Sequence, residues 1–83
     1  MIGADEIEAT IRREMKNADE RYGPFTSTHE GLGVLVEEFD ELRAAIRANA
    51  LESVRAEAMQ IAAVAWRIAI SLNCSATMSR SRP

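Results

Sequence analysis

The stretch LVEEFDEL, residues 35–42, sets Glu37, Glu38, Asp40 and Glu41 among four apolar residues. Carboxylates at helical spacing repel, so such crowding is either a solvated acidic face or a place where a cation belongs. At about 100° per residue, Glu38 and Glu41 share one flank of a helix as an i, i+3 pair. Glu37 falls near the back and Asp40 on the other flank. A second pair with the same spacing, Glu57 and Gln60, follows in VRAEAMQ. Glu57 lies within about 55° of an apolar seam, closer to a core than a solvated glutamate needs to be. If the two helices are antiparallel neighbours, Glu38, Glu41 and Glu57 converge in one groove. Their repulsion and desolvation then call for a divalent cation. Hard oxygen donors, without a histidine or cysteine partner, suit Mg²⁺ or Mn²⁺ better than zinc.

Three helices must position these groups. Ile7, Ile11, Met15, Ala18 and Tyr22 recur at three- and four-residue steps and predict a helix from about 4 to 22. Asp5, Glu6 and Glu8 lie in its first turns, where the helix dipole favours them. GPFTST breaks the pattern, with Ser27 or Thr28 as N-cap and Glu30 placed for a capping box. The second helix covers residues 29 to about 49, its seam being Leu32, Leu35, Phe39, Leu42 and Ile46. Gly31 and Gly33 near its start suggest close packing or a local function. The third helix, residues 51 to about 73, has Val54, Ala58, Ile61, Ala65, Ile68 and Leu72 on its seam and further apolar residues on most other faces. A helix apolar nearly all round must be covered nearly all round. The expectation is an all-α antiparallel bundle of three main helices, completed by oligomerisation, with Trp66 and Ile70 facing a second chain. Residues 1–73 form its single domain, and 74–83 read as a mobile basic tail.

The totals exclude other classes. A net charge of −3 lacks the basic footprint of a nucleic-acid binder. The acidic opening MIGADEIEAT is unlike a secretory signal, and no apolar run approaches the roughly 20 residues of a membrane span. Cys74 is the lone cysteine, which excludes disulfides within the chain and favours a reducing, cytoplasmic setting.

THEGLGVLVEEFDELRAAI followed by VRAEAMQIAAVA resembles the MazG-like all-α nucleoside triphosphate pyrophosphohydrolases over about residues 20–70. In that family one helix carries E-x-x-E and the next E-x-x-D. Here Glu38 and Glu41 match the first motif, with Glu37 just ahead, and Glu57 opens the second. Thr28-His29-Glu30 and Gly23-Pro24 are similar to the stretch that precedes the first motif. The resemblance implies a dimer or tetramer whose acidic residues hold Mg²⁺ on a nucleotide. Water then releases pyrophosphate and a nucleoside monophosphate, in a house-cleaning role. Glu38, Glu41, Glu57 and Gln60 would be the metal ligands, while Glu37 and Glu38 would serve catalysis. The departure is Gln60, where the family has aspartate: its amide can ligate but removes about a quarter of the site's negative charge. The alternative is therefore a non-catalytic helical interaction or regulatory module with a weakened metal site.

Other residues carry a plain reading beside a functional one. His29 is a surface residue of the helix start or a phosphate or base contact. Arg67, among apolar residues, needs an acid such as Glu41 or one from a partner chain, or contacts phosphate. Lys16, with Arg12 and Arg13, is solvated or closes over a triphosphate. Trp66 and Phe25 suit core or interface packing better than base stacking.

Overall fold

A computed structural model describes residues 2–72 as three helices: α1 (Ala4–Tyr22), α2 (Thr28–Arg47) and α3 (Leu51–Ser71). No strand occurs among the described residues, so the chain is all-α. The tail read over 74–83, with Cys74, lies outside them.

Local chemistry explains the boundaries. The Gly23 backbone sits at φ 73°, ψ −177°, a conformation that side chains with a Cβ rarely adopt, and Pro24 follows it. Ser27 is the N-cap of α2, its hydroxyl accepting from the Glu30 N–H at 3.0 Å. The Glu30 carboxylate reaches back to accept from the Thr26 N–H at 2.7 Å and the Thr26 hydroxyl at 3.0 Å. At the other end Asn49, at φ 55°, supplies the left-handed residue of a Schellman turn. Its N–H donates to the Ile46 carbonyl and that of Ala50 to the Ala45 carbonyl, both at 3.1 Å. So short a turn forces α3 to return antiparallel along α2.

α3 is the central element, packed against α2 on one side and α1 on another. Phe25, from the α1–α2 turn, and Val64 form the buried centre, with Val34, Leu35 and Ile68 packed around them. The helices approach so closely at Gly31 that a Cβ there would lie 2.7 Å from Cγ1 of Ile68. Close packing thus explains Gly31. Nothing lies within 4 Å of the equivalent point at Gly33.

Trp66 is half-buried, with the Arg12 guanidinium of α1 4.7 Å from its ring centroid, and Ile70 is exposed. The seam of α2 is only half used within the chain. Gly31, Val34, Leu35, Glu38, Leu42 and Ala45 are its buried or half-buried positions, whereas Leu32, Phe39 and Ile46 remain more than half exposed. The side of α2 turned toward α3 is therefore rotated from the predicted seam toward Glu38.

Candidate metal centre

That rotation carries Glu38 into the α2–α3 interface. Its carboxylate, that of Glu41 one turn further on, and that of Glu57 on α3 offer oxygens that all lie within 4.8 Å of one another. Glu38 and Glu57 are half-buried, and Glu41 is exposed at the edge. Oε2 of Glu38 is buried without a hydrogen-bond partner. A buried polar atom left unpaired is costly, and the more so for a charge. Burial, then the Glu41 and Glu57 carboxylates beside it, a hydrogen bond with the Glu57 side chain that favours the protonated form, and Glu37 beyond push the Glu38 carboxyl up from 4.5 to about 7.

The donor set suits a small hard cation. Oxygens bound at 2.0–2.1 Å around an octahedral ion stand about 3 Å apart when adjacent and about 4 Å when opposite. The three carboxylate oxygens, within 4.8 Å of one another, would close by up to about 2 Å to reach that spacing. An ion there would satisfy Oε2 and cancel the repulsion that raises the Glu38 carboxyl.

Next to the carboxylates a cleft of about 350 Å³ opens between α2 and the α1–α2 turn. Pro24, Phe25 and Val34 supply apolar wall, and Glu30, Glu37 and Glu38 the acidic one. Arg67 lines the same cleft as its cation. The Arg67 side chain is 7 % exposed and pairs with Asp19, Nε to Oδ1 at 3.0 Å. It also donates from Nη2 to the Gly23 carbonyl at 2.9 Å and lies 4.3 Å above the Phe25 ring. The acid expected beside Arg67 is thus Asp19 of α1 rather than Glu41. No local signal joins residues 48 apart in the chain, so Asp19 could not be found from spacing.

The remaining candidates disperse. Lys16 is exposed and lines a separate depression with Arg12, Met15, Asp19 and Glu20. His29 is exposed in the first turn of α2 and does not line the cleft. Gln60 is half-buried and lines a cavity with α1 residues including Glu14, Asn17, Arg21 and Tyr22. Glu37 is exposed but faces the cleft. Asp40 turns away and pairs with Arg43 at 3.1 Å. Among the described residues no helix is long and apolar enough to cross a membrane. Comparison with family models, curated proteins and solved structures returns no match.

Proposed function

We propose that the chain is a Mg²⁺-dependent nucleotide pyrophosphohydrolase, with Mn²⁺ an acceptable substitute, cleaving a nucleoside triphosphate or related nucleotide to monophosphate and pyrophosphate. The observation that carries this reading is the buried, unpartnered Oε2 of Glu38 at the meeting point of three carboxylates, beside a cleft that contains a guanidinium. The likeness of the two acidic motifs to the MazG-like pattern supplies the reaction class.

Glu38, Glu41 and Glu57 would hold the ion, which supplies charge neutralisation for a polyphosphate. Glu37, exposed at the cleft wall, would orient a water or accept its proton. The apolar wall of Phe25, Pro24 and Val34 suits the planar face of a base, and it excludes water from one side of the cleft. Arg67 is already bonded to Asp19 and Gly23, so its first role is to hold the turn that forms this wall. Any contact with phosphate would be additional.

Gln60 favours a second reading, a helical interaction module with a weakened metal site, because it lines a cavity against α1 and brings no charge to the carboxylates. Pyrophosphate release over a nucleotide panel with Mg²⁺ or Mn²⁺ decides between them. Turnover by the wild type and its loss in Glu38→Gln and Glu57→Gln supports the enzyme. Silence on every nucleotide, or full turnover by Glu38→Gln, rejects it.

A further inference from the structure

The cavity that takes Gln60 holds about 270 Å³ between α1 and α3, and Glu14, Asn17, Ala18, Arg21 and Tyr22 line the rest of it. The five α1 residues fall at i, i+3, i+4, i+7 and i+8, so one face of that helix supplies them all. Polar side chains turned into the gap between two helices ordinarily bond to one another. These do not. Glu14 and Gln60 are half-buried and Asn17 is exposed, and none of the three side chains has a hydrogen-bond or ion-pair partner among the described residues. Arg21 forms no ion pair there either. Its guanidinium lies 5.8 Å from the centroid of the Tyr22 ring, a contact that uses its charge and leaves its N–H donors open. Tyr22 is itself 72 % exposed. Gln60 suits this place better than aspartate would, because a second carboxylate opposite Glu14 would repel it.

We infer that this cavity binds a guanine ring, at a site separate from the carboxylates that face α2. Three properties select that ligand. The first is charge. Glu14 and Arg21 cancel, so the cavity favours a neutral group over a phosphate or an ammonium. The second is size and shape. The volume equals that of about nine waters, enough for one planar base but not for a nucleotide with its phosphates. The ring of Tyr22 offers it a flat wall. The third is the order of donors and acceptors. Glu14 and Arg21 stand two turns, about 10.5 Å, apart along α1. A flat base with one hydrogen bond of about 3 Å at either end covers about that distance. Guanine is the base with two adjacent donors, N1–H and N2–H, for a carboxylate to accept, and it carries the acceptors O6 and N7 that a guanidinium fork matches. The amides of Asn17 and Gln60 can each donate and accept at its remaining edges. The site needs no ion and no turnover, so it does not depend on the hydrolase reading.

Amide NMR shifts of the full chain, titrated with guanosine in the presence of a chelator, test the site. Binding should show a Kd below about 1 mM, with the shifts centred on residues 14–22 and Gln60 rather than on Val34 and Glu37 of the cleft. Adenosine and cytidine should bind at least about tenfold more weakly, and inosine, which lacks the N2 amino group, should fall between. Glu14→Gln gives up no bond within the chain; it should lose about tenfold in guanosine affinity and the preference for guanosine over inosine. Tyr22→Ala should weaken binding about tenfold and Tyr22→Phe restore it. No shift up to about 1 mM guanosine means that the cavity holds water alone and overturns the inference. So does equal binding of the other nucleosides, a response centred on the cleft, or guanosine affinity that survives both Glu14→Gln and Tyr22→Ala. Pyrophosphate release plays no part in these readings, so either proposal can fail without the other.

Discussion

Glu38→Gln should stabilise the metal-free protein above pH 7 while abolishing its response to metal. The wild-type carboxyl titrates near 7 in the folded chain, against 4.5 ordinarily. Raising a carboxyl that far corresponds to about 3 kcal/mol between its protonated and ionised forms in the fold. Glu38 is only half-buried, so solvent screening reduces this to about 2 kcal/mol. Between pH 4.5 and 7 the folded chain holds this proton more tightly than the unfolded one. Glu38 therefore makes stability fall as pH rises through that window, and the loss is complete above it. Glutamine is neutral at every pH and its amide can donate to Glu57 or Glu41, so the variant lacks this fall. For a chain of this size about 2 kcal/mol amounts to about 8–16 °C in Tm. Thermal melts with a chelator at pH 5 and pH 8 measure it: the variant should melt well above the wild type at pH 8 and near it at pH 5. Adding Mg²⁺ or Mn²⁺ at pH 8 should raise the wild type and leave Glu38→Gln unmoved. If the variant melts lower than the wild type at pH 8 without metal, the carboxylates are not in conflict and the physical case for a cation between them is lost.

Other outcomes follow from the same geometry. Metal affinity should weaken about tenfold per pH unit below 7, where the ion must displace a proton from Glu38; calorimetry in buffers of different ionisation enthalpy detects that proton. Asp19→Asn should lower stability by only about 1 kcal/mol, because Asp19 is half exposed, whereas Arg67→Ala should cost about 3 kcal/mol by also removing the Gly23 bond and the Phe25 contact. Urea denaturation separates the two. Gly33→Ala should stabilise by up to about 1 kcal/mol, since its Cβ meets open space, whereas Gly31→Ala should destabilise by about 1–3 kcal/mol against Ile68.

The helices were legible because their limits rest on local chemistry. Apolar recurrence, the Gly-Pro break and the serine cap are all written within a few residues, and all six helix ends fall within two residues of expectation. Glu38, Glu41 and Glu57 were legible as a convergent set because i, i+3 spacing and an antiparallel return are also local properties. Rotation was not. Leu32, Phe39 and Ile46 look the same in sequence as Leu35 and Leu42, yet only the latter two turn inward. An apolar stripe wider than its contact reads as one seam whose midpoint lies away from α3, and that places Glu38 on a flank when it faces α3. Arg67 was recognisable as a buried charge in need of an acid. Which acid depended on how α1 crosses α3, and no local spacing records that.

The close approach at Gly31 reaches further than its own contacts. α2 and α3 act as the arms of a pair of tongs joined at Asn49, with Gly31 about 27 Å from the joint and Glu38 about 16 Å. Forcing the arms apart by 0.5–1 Å at residue 31 would part Glu38 from Glu57 by about 0.3–0.6 Å. The bond lengths that distinguish calcium from magnesium differ by about that much. A single missing methyl group, two turns away from the carboxylates, thus sets how far apart they stand.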